Sequence, residues 1–190
     1  MRSGDFMQGV EFSHWLMKNY IKEGDKVIDA TSGNGHDTVF LADLVGKEGY
    51  VWAFDIQKEA IANTKEQIVE KKYQDRVKII KDNHKNVKKY IESSVSGILF
   101  NLGYLPRGDK NKPTTAADTL QAVKKGIELL KTGGILVLVC YTEHSGGKEE
   151  FNTVHNYLKE LKQDEFNVLH YHFLNQLKTP PQVLGAIKRS

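Results

Sequence analysis

The stretch VIDATSGNGHDT, residues 27–38, decides the fold class of this chain. Its apolar beginning predicts a strand that ends at Asp29 or Ala30, and its end predicts a helix that begins near Asp37. A strand, a short turn and a helix in this order form the first unit of a parallel α/β sheet.

The turn between this strand and this helix contains Gly33 and Gly35, with Asn34 and His36 beside them. Glycine takes positive φ at little cost and lets the backbone approach a ligand closely. The free N–H groups of the following helix start would then face that ligand. An ordinary turn capped by Asp37 would carry the same glycines, so the turn alone does not establish a binding site.

Strand-like runs alternate with helical patterns along most of the chain. The strand-like runs are residues 27–30, 50–55, 77–80, 97–101 and 134–140. The helical stretches are residues 14–21, 37–44, 58–69, 116–130 and 149–161. This alternation predicts a doubly wound parallel sheet with helices on both faces.

The last two strand-like runs, residues 165–174 and 182–188, are separated only by residues 175–181. That connection is too short for a helical crossover, so we expect this pair to be antiparallel. The complete pattern predicts an α/β fold of the Rossmann-like, class I methyltransferase type. Its sheet would be mostly parallel and seven-stranded, with an antiparallel terminal hairpin, unlike a dehydrogenase built from two matching halves.

Composition is typical of a single globular domain spanning residues 1–190, with an N-terminal helical segment at 1–24 before a core at 25–190. Lys and Arg number 27 against 24 Asp and Glu, a balance that permits a nucleic-acid partner without requiring one. The one cysteine excludes an internal disulfide and a thiolate zinc cage. No apolar run is long enough to cross a bilayer and the N-terminus does not read as a signal peptide, so we expect a cytoplasmic protein and no membrane partner.

Two carboxylates follow the first two predicted strands. Asp29 would repel a pyrophosphate and attract a ligand ammonium, which favours S-adenosylmethionine over NAD. Asp55 ends the second strand, where a carboxylate can accept both ribose hydroxyls of a nucleoside, although it would also serve as a helix N-cap. Ile56 and Gln57 follow, where an apolar side chain could pack on adenine and an amide could add a hydrogen bond.

The loop after the third strand contains Asp82, Asn83 and His84. In this fold that loop lies over the adenine ring, where Asn83 or His84 could bond the ring edge or its amino group. A polar loop histidine is the plainer interpretation of His84 alone. The histidines at 36, 84 and 144 lack metal-ligand spacing, so we expect no metal site.

The acceptor side of the predicted site follows the fourth and fifth strands. NLGYLP, residues 101–106, places an amide, a tight turn and a tyrosine where a methyl acceptor should sit. YTEHSGGKEE, residues 141–150, adds hydroxyl, carboxylate and imidazole groups on the same edge, and His144 or Glu143 could take a proton from a substrate ammonium. A solvated loop would explain each of these residues singly.

Four ordered motifs together resemble a known family. They are DATxGNGxDT at 29–38, NLGYLP at 101–106, YxxHxGGxE at 141–149 and the proline pair at 180–181. They are similar to those of the small bacterial YtqB-like rRNA methylases, and the likeness runs over residues 14–189. The resemblance implies S-adenosylmethionine as methyl donor. It also implies the 5-aminomethyl group of a tRNA wobble uridine, with or without 2-thiolation, as methyl acceptor.

The resemblance also assigns residues. It implies cofactor contacts by Asn34, His36, Asp55, Gln57, Asn83 and His84. With four residues of the first strand, turn and helix start, they make up the ten residues that we predict to bind the cofactor; these four are Asp29, Gly33, Gly35 and Asp37. Since a primary alkyl amine must lose a proton before it attacks, we expect four groups to orient or deprotonate it, with the base left open: Asn101, Tyr104, Tyr141 and His144.

A tRNA partner, held by its anticodon stem-loop, requires positive charge near the strand ends. Two candidate clusters are Arg107, Lys110 and Lys112 in one loop, and Lys85, Lys88 and Lys89 in another. For any single basic residue of these clusters, a solvated surface side chain is the commoner explanation. A homodimer is a further way to build the RNA-binding surface. Three alternatives remain open: a methyltransferase for rRNA or for a small-molecule or protein amine, a non-catalytic nucleoside-binding module and, with less support, an NAD-dependent reductase.

Overall fold

The computed structural model describes residues 5–103 and 115–189, which form one seven-stranded sheet with helices on both faces. Tyr104, Arg107, Lys110 and Lys112 lie outside the described residues. The strands are β1 (Lys26–Asp29), β2 (Tyr50–Asp55), β3 (Val77–Lys81), β4 (Val95–Leu102), β5 (Leu130–Cys140), β6 (Phe166–Tyr171) and β7 (Gln182–Lys188). The helices are α1 (Gly9–Tyr20), α2 (His36–Val45), α3 (Lys58–Lys71), α4 (Ala116–Leu129) and α5 (Gly147–Lys159), with a 3-10 helix at His84–Lys89.

The strand order is β3-β2-β1-β4-β5-β7-β6. The first five strands are parallel, and β7 pairs antiparallel with both β5 and β6. The predicted mostly parallel sheet with an antiparallel terminal hairpin is therefore confirmed. β1 lies between β2 and β4, so the winding of the chain reverses at β1 and leaves a crevice beyond its carboxyl end.

The buried β5 strand shows how the two apolar layers are divided. Leu136, Leu138 and Cys140 face the layer under α4 and α5, whereas Ile135 and Val137 face the layer under α1, α2 and α3. All five side chains are almost completely buried. An unbroken apolar run is what a strand covered on both faces requires.

Helix α1 begins at Gly9, five residues before the predicted start at His14. Gln8 and Glu11 form a capping box at its N-terminus, and a Cβ on Gly9 would lie 2.9 Å from the Pro181 carbonyl oxygen. The Gln8–Glu11 pair is thus a local determinant of this start, and the close approach of Pro181 leaves little room for a side chain at the first helical residue.

The inner face of α1 packs directly on the sheet. A Cβ on Gly97 of β4 would lie 2.5 Å from Ile21 Cδ1 and 2.8 Å from Met17 Cε. Both of these α1-side residues are buried. The N-terminal segment thus contributes to the same core as the strands. Over residues 5–103 and 115–189, no helix has the length and apolar character that crossing a bilayer requires.

Gly35→Ala should destabilise the protein more than Gly146→Ala. Both glycines are helix N-caps with nearly equal positive φ, 85° and 83°, so alanine costs about 1–2 kcal/mol of backbone strain at either position. At Gly35 the added Cβ would also lie 2.9 Å from the backbone Cα of Thr64, whereas at Gly146 nothing lies within 4 Å.

Urea unfolding of both variants measures this difference. We expect Gly35→Ala to lose about 1–3 kcal/mol more than Gly146→Ala, the usual cost of overpacking. Equal losses would show that α2 and α3 can separate freely at this point.

Candidate functional site

A cavity of about 1090 Å³ lies beyond the carboxyl ends of β1, β2, β4 and β5. Seven of the ten predicted cofactor-binding residues line it: Gly33, Asn34, His36, Asp37, Asp55, Gln57 and His84. Of the four predicted catalytic residues, Asn101, Tyr141 and His144 line it and Tyr104 is outside the described residues. One cavity therefore brings together the two predicted halves of the site.

Asp29, Gly35 and Asn83 do not line the cavity. Gly35 packs against α3 instead. Asn83 caps the 3-10 helix, where its Oδ1 accepts the Lys85 N–H at 3.0 Å and its Nδ2 donates to Asp118 at 2.9 Å. The expected direct ligand contacts of these three residues are therefore not supported by their positions.

Asp29 is buried and its carboxylate is bonded within the protein. It accepts the Thr31 N–H at 3.1 Å and the Thr38 hydroxyl at 2.5 Å. Burial, with the nearby charge of Asp37, raises the pKa of Asp29 to about 7. A carboxyl that is substantially protonated at neutral pH attracts a cation less than the sequence argument assumed.

Asp55 joins the ends of β1 and β2. Its Oδ2 accepts the Gly33 N–H at 3.0 Å and its Oδ1 accepts the Gln57 N–H at 2.9 Å. Burial raises the pKa of this carboxyl although these N–H groups act in the opposite direction. Each carboxylate oxygen can accept a second hydrogen bond, so Asp55 can still receive a vicinal diol from the cavity.

The protonation of His84 follows from its partner. Its Nδ1 lies 3.1 Å from the Ala30 carbonyl oxygen, which only accepts, so Nδ1 carries the hydrogen. Burial lowers the pKa of this histidine, so the ring is neutral and Nε2 offers a lone pair. Within the described chain Nε2 has no hydrogen-bond partner, and it suits an amino-group donor on a ligand.

Ser32 Oγ is the second buried atom of the cavity wall that lacks a partner among the described residues. Two buried polar atoms left unsatisfied on one wall are costly unless a ligand or water satisfies them. Together with the diol acceptor Asp55, they fit a nucleoside. The residues present therefore fit the adenosyl part of S-adenosylmethionine.

The other side of the cavity combines aromatic, amide and acidic groups. Tyr141 is partly exposed, and burial raises the pKa of its hydroxyl, which keeps it protonated at neutral pH. Glu143 also lines the cavity, and its Oε1 accepts the Thr179 N–H at 3.2 Å. The adjacent connection between β6 and β7 therefore touches the acceptor side.

His14 and Glu150 are among the cavity residues that were not predicted as site residues. His14 lies on α1 and its Nε2 is 2.7 Å from Asp37 Oδ1. Glu150 is buried, accepts the Thr119 hydroxyl at 2.5 Å, and has its pKa raised by burial. Glu150 could have been found in the sequence as an acidic residue on the inner side of the amphipathic α5 pattern. No local signal in the sequence marks His14.

This strand order, the crevice at β1 and the nucleoside-compatible wall define a class I S-adenosylmethionine-dependent methyltransferase. The family described as "Putative rRNA methylase" matches residues 51–187, and the chain belongs to that family. A protein-L-isoaspartate(D-aspartate) O-methyltransferase family also matches, over residues 4–94.

One relative is the chloroplastic tRNA (mnm(5)s(2)U34)-methyltransferase of Arabidopsis thaliana. It is 37% identical over 183 residues, which cover 91% of this chain and 67% of the plant protein. Ribosomal RNA small subunit methyltransferase H of Oceanobacillus iheyensis is 32% identical, but over only 47% of this chain and 30% of its own length.

Two solved structures are similar over nearly the whole chain. A "putative rRNA-methylase" of Clostridium thermocellum is 45% identical with a TM-score of 0.94, covering 97% of this chain and 99% of that one. A Streptococcus mutans methyltransferase, solved in complex with S-adenosylhomocysteine, is 37% identical with a TM-score of 0.88 over the same shares. The predicted enzyme class and cofactor are confirmed.

Asp29→Asn should remove a pH-dependent loss of stability. The folded protein holds a proton on Asp29 up to about pH 7, whereas an unfolded carboxyl releases it near 3.8. This stabilising contribution is therefore complete below pH 3.8 and is lost as pH rises to about 7. The introduced amide keeps both hydrogen bonds, since it can accept from Thr31 N–H and donate to the Thr38 hydroxyl.

We expect the free energy of unfolding of Asp29→Asn, relative to wild type, to rise by up to about 4 kcal/mol as the pH increases from about 4 to 8. Urea unfolding of both proteins across this range measures it. A difference that does not change with pH would contradict the raised pKa.

Proposed function

We propose that this enzyme transfers the methyl group of S-adenosylmethionine to the 5-aminomethyl group of a wobble uridine, with or without 2-thiolation, in tRNA. The product is the 5-methylaminomethyl nucleoside. The observation that carries this proposal is the 37% identity over 91% of the chain with a tRNA (mnm(5)s(2)U34)-methyltransferase. The cavity supports this proposal, because the predicted acceptor-side residues and the predicted cofactor-binding residues line the same space.

On the cofactor side, the Asp55 carboxylate accepts hydrogen bonds from the ribose hydroxyls, and His84 Nε2 accepts a hydrogen bond from the adenine amino group. Gly33, Asn34, His36 and Gln57 line the same half of the cavity and complete the nucleoside contacts. S-adenosylmethionine supplies a methyl group on a cationic sulfur. The Asp55 carboxylate at this edge of the cavity favours such a cation.

On the acceptor side, the substrate amine must be neutral when its nitrogen lone pair attacks the methyl carbon. Asn101, Tyr141 and His144 line the cavity, and we assign them to orient or deprotonate that nitrogen. The raised pKa of Tyr141 makes its hydroxyl a hydrogen-bond donor rather than a base at neutral pH. Alignment of the nitrogen with the methyl group supplies most of the rate advantage in such an in-line transfer.

The RNA-binding surface we propose is the loop after β4. The two residues that flank it, Gly103 and Thr115, both line the cavity, and its sequence carries Arg107, Lys110 and Lys112. The second basic cluster, Lys85, Lys88 and Lys89, is less suited to bind RNA phosphates. Lys85 already pairs with Asp118 at 2.8 Å, and Lys88 pairs with Glu128. A homodimer and a cytoplasmic location stay predictions.

Asp55→Ala should weaken cofactor binding. Charge-assisted hydrogen bonds to the two ribose hydroxyls would be lost, which corresponds to an affinity about 10- to 100-fold lower. Calorimetric titration with S-adenosylhomocysteine measures it. Asp75→Ala is the control, because Asp75 is an exposed carboxylate that does not line the cavity. Unchanged affinity in Asp55→Ala would remove Asp55 from the cofactor site.

The proposed reaction is tested with the purified enzyme, S-adenosylmethionine and tRNA carrying 5-aminomethyl-2-thiouridine. We expect nucleoside mass spectrometry to show conversion to 5-methylaminomethyl-2-thiouridine. Asn101→Ala, which keeps the proposed cofactor-binding residues but lacks the acceptor-side amide, should convert it much more slowly. Methylation of ribosomal RNA or of a free amine, with this tRNA left unmodified, would overturn the proposal.

A further inference from the structure

We propose that Asp37 is a positioning residue that fixes the Asn101 side-chain amide with its oxygen toward the methyl acceptor, and that His14 of α1 holds Asp37 in place. This inference rests on the proposed function, because it assigns Asn101 Oδ1 the N–H of the substrate amine. It differs from the sequence prediction that Asp37 contacts the cofactor.

The two oxygens of Asp37 are bonded to two different side chains. Oδ1 lies 2.7 Å from His14 Nε2, and Oδ2 lies 3.0 Å from Asn101 Nδ2. A carboxylate only accepts hydrogen bonds, so the Asn101 group that faces it must be the NH₂. The chemistry of the pair therefore decides which end of the amide is left for the cavity.

That remaining end is Asn101 Oδ1, an acceptor. Among the described residues nothing donates a hydrogen bond to it, and Asn101 lines the cavity. The backbone of the same residue is also held, since its N–H donates to Thr31 Oγ1 at 2.7 Å. The turn after β1 thus fixes Asn101 at its main chain and at its side chain.

His14 makes the arrangement rigid from the other side. Its ring stacks on Phe40 with centroids 3.8 Å apart and an interplanar angle of 7°. Burial alone would raise the pKa of Asp37, but hydrogen bonds from His14 and Asn101 outweigh it and lower the pKa. Asp37 therefore stays ionised at neutral pH and keeps accepting from both partners.

Exchanging the two functional groups tests the inference. In Asp37→Asn, the introduced amide satisfies His14 with its oxygen and turns its NH₂ toward Asn101, which must rotate and present NH₂ to the cavity. In Asn101→Asp, two carboxylates face each other. In the double variant Asp37→Asn/Asn101→Asp, the amide accepts from His14 and donates to the new carboxylate, whose second oxygen faces the cavity.

We expect kcat for the aminomethyl tRNA to fall on the order of 100-fold in each single variant, with KM changing less, since the loss is one of alignment. The double variant should recover at least about 10-fold over either single variant. Asp43→Asn, an exposed substitution on the same helix that does not line the cavity, is the matched control and should keep wild-type kcat.

Affinity for S-adenosylhomocysteine, measured by calorimetry, should stay within about 3-fold of wild type in Asp37→Asn, since 3-fold is less than one neutral hydrogen bond. A loss of 10-fold or more would instead make Asp37 a cofactor ligand and overturn the inference. A double variant no more active than its parents would also overturn it.

A second readout does not depend on the substrate. The Asn101 side-chain NH₂ signal in ¹⁵N NMR spectra, assigned by its absence in Asn101→Asp, should shift in Asp37→Asn and in His14→Ala but not in Asp43→Asn. If wild type fails to methylate the tRNA while these shifts appear, the proposed substrate is wrong and the positioning contact stands. Absence of the shifts overturns the contact itself.

Discussion

The position of β1 between β2 and β4 is the constraint on which the site depends. Because the winding of the chain reverses there, the connections after β1 and β4 leave toward opposite faces and an opening remains between them. The register of β1 with both neighbours brings Asp29 level with Ala53 and Leu99. β2 and β4 continue beyond this level to Asp55 and Leu102, and the segments that follow all three strands contribute polar groups to the cavity.

Three carboxylates crowd this opening, and the protein uses each differently. Asp29 is buried and accepts hydrogen bonds from two threonines. Asp55 accepts hydrogen bonds from backbone N–H groups, and Asp37 is bonded to two side chains. Their mutual repulsion contributes to the raised pKa of Asp29. A positively charged ligand bound in the cavity would relieve that repulsion.

Sequence reasoning identified the fold, because alternating strand and helix patterns and a short last connection leave few arrangements of the sheet. It also found the loops that line the cavity, since these follow directly from strand ends. It predicted cofactor contacts for Asp29 and Asn83, which do not line the cavity. Asp29 is buried and accepts from the Thr31 N–H and the Thr38 hydroxyl, and the Asn83 side chain caps a 3-10 helix. Sequence reasoning did not include His14, because this residue meets Asp37 only when α1 folds back on the sheet. Local sequence gives no signal for a contact between residues that lie this far apart in the chain.

Residues 7–12, at the start of α1, pack against Tyr171 and Pro181 of the terminal hairpin beside the acceptor side of the cavity. Gly9 packs on Pro181, Phe12 stacks on Tyr171 with centroids 4.2 Å apart, and the Tyr171 hydroxyl donates to the Met7 carbonyl at 2.9 Å. During translation α1 is made before β4, β5 and β7, the strands that it contacts. The full set of contacts that holds α1, and with it His14, can therefore form only after β7 has been synthesised.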